Sequence, residues 1–373
     1  MANSFIRAAR EGAIRTIAGG GAADRFLEKL EGPCRFACVI GSTGTAEIEG
    51  ISAAGETPYL RRFTAALDAE YLFFGRTLTM DDVPRNPLGP PSPVVISRAA
   101  LTSMGVAPLI VDAGTAVPPL TPRLALGGLA GRCITTGRAL DVPECYPSSL
   151  RLAARALAPD SGYVVLAESV PGGTTTALSV LTALGVDARG MVSSSMPGGN
   201  HGLKEKVVRD AIERAALGPD RTALEIVSAV GDPMQLAVPY LALELSLSVP
   251  VVLGGGTQMA AVLAIIARLL AEGEPGDPAN IALATTAWVA DDRASDIRGI
   301  MECLPVRFGA FASMLDFSGC SHEGLRRYQE GLVKEGVGAG AAAFAAVGQG
   351  ATDIDTLTRR IDRLAEELDE QKS

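Results

Sequence analysis

The chain is poor in rings, in histidine and in long apolar runs. Aromatic residues make up 5% of its 373 positions, and Trp288 is the single tryptophan. Histidine occurs only at His201 and His322, and the six cysteines (34, 38, 133, 145, 303 and 320) form no Cys-x-x-Cys pair. Such a set argues against a structural zinc site and suits reduced thiols in a cytoplasm. Net charge is −9, from 33 Lys+Arg against 42 Asp+Glu, and no basic stripe offers a nucleic-acid surface. The longest apolar stretch, Met259–Leu270, is too short for a bilayer and contains Arg268. Met1–Gly20 carries Arg7, Arg10 and Arg15 with no apolar core of a signal peptide. The expectation is a cytoplasmic protein that handles small molecules, with neither nucleic acid nor membrane as partner.

Glycine is abundant, at 42 residues, within a chain that is 47% hydrophobic and rich in Ala, Val and Leu. Small side chains let helices lie close on a sheet, with glycines at the turns. Short apolar runs at Cys34–Ile40, Leu109–Val111, Tyr163–Ala167, Leu224–Ser228, Pro250–Leu253 and Ile281–Thr285 read as strands, most followed by a glycine turn and a helical stretch. This alternation predicts an α/β fold with a doubly wound, mostly parallel, Rossmann-like sheet. Ligands then belong at the carboxyl ends of the strands, where the glycine clusters fall. Phe5, Ile6, Ala9, Ile14 and Ile17 recur at helical spacing, so the N-terminal stretch reads as helix; Asp81–Pro93 holds five prolines and reads as a rigid loop. In Asp353–Glu370 the apolar residues Ile354, Leu357, Ile361, Leu364 and Leu368 form one stripe, to be covered by the same chain or by a second copy. Two units are expected: a large α/β domain at 33–325, and a smaller helical subdomain from 1–32 with 326–373.

Three stretches carry chemistry. In Glu168-Ser-Val-Pro-Gly172-Gly173-Thr174-Thr175-Thr176 a strand ends, two glycines permit close approach, and hydroxyls open a helix. A helix N-terminus of that kind seats phosphate without net positive charge, although a threonine-capped helix would look the same. No Gly-Lys-Ser/Thr follows, so it is not a P-loop. Ser193–Lys206 is a second Gly/Ser loop, with Lys204 and Lys206 in the first turns of a helix; a bound anion or plain solvation accounts for them equally. Lys334-Glu335-Gly336-Val-Gly338-Ala has a formal Gly-x-Gly-x-x-Ala match, but charged helical sequence precedes it and no dinucleotide strand. It leaves Glu335 as a general-base or capping carboxylate. Asp291-Asp292 is a weak metal candidate.

Taken in order, these motifs resemble the nicotinate-nucleotide–dimethylbenzimidazole phosphoribosyltransferases, and most closely their divergent archaeal-type branch. Glu168…Gly172-Gly173-Thr174-Thr175 is similar to that family's Glu-Met-Gly-Ile-Gly-Asn-Thr-Thr loop. Gly202-Leu-Lys-Glu-Lys206 is similar to its Gly-Leu-Ala-Arg-Lys, and Glu335-Gly336-Val-Gly338-Ala339 to its Glu-Gly-Thr-Gly-Ala. Gly231 and Val249–Gly255 match its Val-Gly-Gly…Pro-Val-Leu-Val-Asp-Gly run, and Gly255-Gly256-Thr257-Gln258-Met259 belongs to the archaeal-type pattern. The resemblance implies transfer of 5-phosphoribose from nicotinate mononucleotide to a benzimidazole-type or purine base, for the lower ligand of cobalamin, by a homodimer that needs no cofactor or metal. Glu335 would be the catalytic base. Glu168, Gly172, Gly173, Thr174, Thr175, Lys206, Gly231, Gly255, Gly256 and Thr257 would bind substrate. Val170 and Gly173 depart from the family's Gly and Asn. A nucleotide- or cobamide-precursor-binding protein without turnover is the alternative.

Overall fold

The computed structural model describes residues 3–80, 86–158, 160–194 and 200–370. Asp81–Arg85 of the proline-rich stretch and Ser195–Gly199 of the Ser193–Lys206 motif lie outside the described residues. Eight strands form one sheet: β1 (Ile14–Ala18), β2 (Cys34–Gly41), β3 (Leu109–Gly114), β4 (Leu124–Ala125), β5 (Tyr163–Ser169), β6 (Val251–Gly254), β7 (Ile281–Thr286) and β8 (Gly309–Ser313). Their spatial order is β1-β8-β7-β6-β5-β2-β3-β4, with every pair parallel except β1 and β8. From β2 the chain runs outward to β3 and β4. It then returns to the other side of β2 at β5 and proceeds to β8. The order therefore reverses between β2 and β5, and crevices open at such a reversal, outside the carboxyl ends of the strands. The strands of the middle are buried on both faces, which is why they read as unbroken apolar runs.

Helices α1 (Ser4–Arg10), α2 (Gly21–Lys29), α3 (Thr64–Phe74) and α4 (Val94–Met104) cover one face. The other carries α5 (Tyr146–Arg155), α6 (Gly173–Ala183), α7 (His201–Ala215), α8 (Ala223–Val230), α9 (Pro233–Ser246) and α10 (Thr257–Ala271). After the short helices α11 (Ala287–Ala290), α12 (Ile297–Glu302) and α13 (Glu323–Arg326), the chain returns to the first face as α14 (Ala339–Gly348) and α15 (Ile354–Glu370). Most of the scarce rings are spent here. Phe5, Tyr163, Phe344, Phe311 and Phe26 form a chain of ring contacts, with centroids 5.2–6.1 Å apart, between α1, α2, α14 and the sheet.

Two expectations change. Leu224–Ser228 is not a strand but the body of α8. Thr222 accepts from Glu225 N at 3.2 Å while Glu225 accepts from Thr222 N at 2.9 Å, and this reciprocal cap commits the segment to helix. The N-terminal stretch is not one helix. Gly12 (φ +79°) and the Gly19-Gly20 pair (φ +96° and +49°) break it, and β1 between them joins the sheet edge beside β8. That strand, and the shared core of α1 and α14 with the sheet, pack these segments against the sheet. The stripe of α15 is closed within the chain: Leu357, Ile361, Ala365 and Leu368 are buried, and α15 packs on α4.

The contact that positions the site is that of α14 with β5, β6 and β7. A Cβ on Gly340 would overlap the backbone of Thr285, and one on Gly338 (φ +62°) would run into Ala167. Bare backbone thus lies on backbone. Gly340→Ala is expected to cost about 3 kcal/mol of unfolding free energy in urea, because the clash is with main chain and cannot be relieved by a rotamer. A loss below about 0.5 kcal/mol would mean that this approach is not tight.

Candidate active site

A cleft opens over the carboxyl end of β5, enclosing about 750 Å³ out to its mouth, within the range of small-molecule sites. One wall is the Glu168–Thr174 turn into α6, and the facing wall is Val333 and Glu335–Val337 ahead of α14. Asp68, Pro91–Pro93 and Gln258 close the sides.

Glu335 is held by convergent donors. Its Oε2 accepts from Thr285 Oγ1 and Thr286 N, both at 3.0 Å, and its Oε1 accepts from Gly340 N at 3.1 Å and Gly336 N at 3.2 Å. Those bonds favour the carboxylate, but loss of water around it outweighs them, and its pKa is pushed up to about 7. The next residues keep it there. Val337 adopts φ +54°, unusual for a β-branched residue, and its carbonyl accepts from Ser97 Oγ at 2.8 Å.

Glu168 ends β5 on the same cleft and is buried. Its pKa is raised well above the ordinary value by burial first, then by the charges of Glu335, Asp232 and Asp68. Its Oε2 accepts from Val170 N at 3.2 Å, and Gln258 Nε2 donates to its Oε1 at 3.2 Å. Asp68, on α3, accepts from Ser92 Oγ and Ser169 Oγ, each at 2.8 Å, and burial lifts its pKa to about 6. The site thus gathers carboxyl groups whose pKa values burial raises, with the charges of its neighbours adding to the shift at Glu168.

Across the cleft α6 begins. Gly172 takes φ +77° because its missing Cβ faces the backbone of Ala46, and Gly173 and Thr174 form the first turn. Lys204 reaches this turn from α7. Its Nζ donates to Thr174 Oγ1 at 2.8 Å and to Ser193 O at 2.6 Å; burial and the neighbouring Lys334 lower its pKa to about 7. Lys334 in turn donates to Asp292 at 2.7 Å and to Ser194 O at 3.4 Å. Two lysines therefore grip consecutive carbonyls beside the first turn of α6. The Asp292 carboxylate belongs to this ion pair, and the described residues contain no cluster of three or more His, Cys, Asp or Glu arranged for a metal.

Of the residues singled out in the sequence, Glu335, Glu168, Gly172, Gly173 and Thr174 line the cleft together. Gly255 packs against Glu168 so closely that a Cβ there would crowd the glutamate, whereas Gly256 stands beside Glu335 at ordinary contact distance. Thr257 lies just behind, accepting from Ser193 N at 3.1 Å. Thr175 is turned into the core, and Gly231, at the end of α8, stands behind α6 next to the Asp232–Thr176 hydrogen bond. Lys206 is not in the site. It is exposed and paired with Asp210 at 2.7 Å. Residues two apart on a helix face away from each other; Lys204 shares the inward face of Val207, Val208 and Ala211, so helical periodicity could have chosen it. Asp68, Ser97 and the Thr285-Thr286 pair also escaped the sequence reading, though two threonines ending an apolar strand were a visible signal, and Gln258 stood in the archaeal-type motif without a role.

No family model matches the chain. The fold is that of the CobT phosphoribosyltransferases. A crystal structure of CobT from Thermus thermophilus superposes with a TM-score of 0.56 at 18% identity, over 92% of this chain and 90% of that one. A second, of the nicotinate-nucleotide–dimethylbenzimidazole phosphoribosyltransferase of the same organism, gives 0.57 at 17% identity, over 98% and 96%. A UPF0284 protein of Gloeobacter violaceus is 47% identical over 332 residues, 86% of this chain and 85% of its own length. One from Pyrobaculum aerophilum is 41% identical over 343 residues, 90% and 97%. The chain belongs to the UPF0284 family. No helix among the described residues is long and apolar enough to cross a membrane.

The buried carboxyl groups make stability depend on pH in a defined direction. Asp68 and Asp232 (about 6) and Glu335 (about 7) bind protons in the folded state at pH values where the unfolded chain has released them. Their contribution is complete below about pH 4 and is lost as pH rises through 6 to 7. The melting temperature is expected to fall between pH 5 and 7, and Asp68→Asn to flatten that fall. A melting temperature that rises across this window would contradict the placement of these groups.

Proposed function

We propose that the chain is a phosphoribosyltransferase that moves 5-phosphoribose from nicotinate mononucleotide to a benzimidazole-type or purine base, giving an α-ribotide and nicotinate. The observation that carries this is that one cleft is lined both by Glu335, whose pKa is pushed up to about 7, and by the start of α6, where Thr174 Oγ1 accepts from Lys204. The shared fold of the CobT structures supports it. With the nucleotide phosphate at Gly172–Thr174, C1′ of the ribose lies in the cleft and an acceptor base fits between it and Glu335. The base nitrogen attacks C1′ as the bond from C1′ to the pyridinium nitrogen breaks. That electron pair stays on the departing nicotinate, and the N–H proton of the base passes to Glu335. Attack opposite the leaving group inverts C1′, and positive charge accumulates on the ribose ring as in glycoside cleavage.

Two features speak for turnover rather than mere binding. The family's asparagine is absent at Gly173, but the Gln258 side-chain amide, from α10, occupies the space that a Cβ there would need. The amide function is thereby retained from another element. The acceptor pocket has no aromatic lining among the described residues; Pro91, Pro93, Val333 and Val337 supply flat apolar surface instead. Such a surface grips a planar base with little demand on its ring size, which suits acceptors from benzimidazole to purine.

The test is nicotinate release from the mononucleotide with 5,6-dimethylbenzimidazole, benzimidazole and adenine. Release with at least one is expected, with kcat rising through about pH 7 as Glu335 ionises. Glu335→Gln should lower kcat by about a hundredfold or more while leaving nucleotide affinity nearly unchanged. Lys204→Met should weaken nucleotide binding by about tenfold or more, the worth of one charge-assisted bond. Tight nucleotide binding without release for any base would leave a nucleotide- or cobamide-precursor-binding protein instead.

A further inference from the structure

A second cavity lies on the other side of the Pro171–Gly172 turn. Ser42, Thr43, Ala46, Arg61, Arg62 and Gly131 are among its walls, and its interior holds about 170 Å³ of space for water centres. One water needs roughly 10–15 Å³ on that measure, so a small polyatomic ligand fits. It opens beside the carboxyl ends of β2 and β3, next to the point where the strand order reverses.

Arg61 is the informative residue. It is only 5% exposed, and a guanidinium has five N–H donors. Nε donates to Gly55 O at 3.2 Å, and Nη1 donates to Ala46 O at 3.0 Å and Ile48 O at 3.1 Å. Those three bonds clamp the 46–55 loop and use three donors. Both Nη2 donors have no acceptor among the described residues. Nor does a carboxylate pair with Arg61 there: Glu47, which also borders the cavity, stands 3.7 Å from Arg62, both about half exposed, and the exposed Glu49 only tempers the charge. Carbonyl contacts explain the shape of the loop, but a neutral donor would serve that purpose. A buried, unpaired cation is costly. Its neighbours suit an anion: Arg62 adds a second guanidinium, and Ser42 Oγ, which accepts from Ala116 N at 3.1 Å, keeps its own hydrogen to donate.

We propose that this cavity binds a small oxyanion, a phosphate or a carboxylate, through Arg61 Nη2, Arg62 and Ser42. A guanidinium N–H donates a charge-assisted bond to either group. The site is separate from the Lys204 seat and does not depend on transferase activity. Because Pro171 borders both cavities and Ala46 packs on Gly172, an occupant would brace the turn that opens α6.

The experiment is thermal unfolding with inorganic phosphate and, separately, nicotinate, at constant ionic strength with chloride as control. The expected result is a rise of about 2 °C at ten times Kd with at least one of them, and which one responds identifies the group. Lys204→Met, which disables the other seat, should keep the rise. Ala116→Glu, which places a carboxylate in the cavity, should raise the unliganded melting temperature and abolish the response. Arg62→Gln, a half-exposed change that leaves the Arg61 clamp intact, should weaken the anion at least severalfold. No response to either anion in the unaltered protein overturns the proposal. So does a response that Lys204→Met removes and Ala116→Glu preserves.

Discussion

The site depends on one contact, the seating of the α14 backbone directly on β5, β6 and β7. At its start no side chain larger than a methyl separates them: Gly338 lies on Ala167 and Gly254, and Gly340 lies on Thr285. This proximity lets donors from β7 and from α14 itself converge on Glu335, and it removes the water that would hold that carboxyl at its ordinary pKa. The alanine-rich composition of α14 is therefore a geometric requirement. A bulkier helix would stand off the sheet, and the Glu335–Gly338 loop would lose the anchors that hold Val337 in its left-handed conformation.

Electrostatics in this acidic chain is arranged locally. In the two proposed sites anions would be received by a helix N-terminus and by single buried cations, each held by backbone carbonyls rather than by carboxylates. Lys204 on Ser193 O and Arg61 on Ala46 O and Ile48 O follow the same plan. Carbonyls orient a cation without neutralising it, so its charge stays available to a ligand. The carboxyl groups meanwhile are buried together over β5, and the loss of water raises their proton affinity, which brings the pKa of Glu335 to about 7.

Much of this was legible in the sequence. The apolar runs that became β2, β3, β5, β6 and β7 are buried on both faces and needed no alternation to be recognised. The Glu168–Thr174 and Glu335–Gly338 segments announced themselves because glycine is demanded where backbone meets backbone. What was missed depended on distant partners or on subtler local signals. β8, Gly-Ala-Phe-Ala-Ser, is five residues with no distinctive pattern. β1 hides in a helical-looking run that Gly12 and Gly19-Gly20 interrupt. The cap of α8 was written in Thr222 and Glu225, yet the β-rich composition of the run outweighed it in reading. Lys206 was preferred to Lys204 on motif alignment, whereas the rotation of α7 turns Lys204 inward. The role of Gln258 could not have been found from its own neighbourhood, since its amide is meaningful only beside Gly173, a residue remote in sequence.

The state of one carboxyl group summarises these constraints. Carbon-13 NMR of the protein labelled at glutamate side-chain carboxyls, with the Glu335 resonance assigned by its absence in Glu335→Gln, gives its titration directly. A midpoint of about 7 is expected if α14 seals this group against the sheet among its donors. A midpoint near the ordinary 4.5 would show a solvated glutamate, and would contradict both the tight seating of α14 and the role of Glu335 as the base.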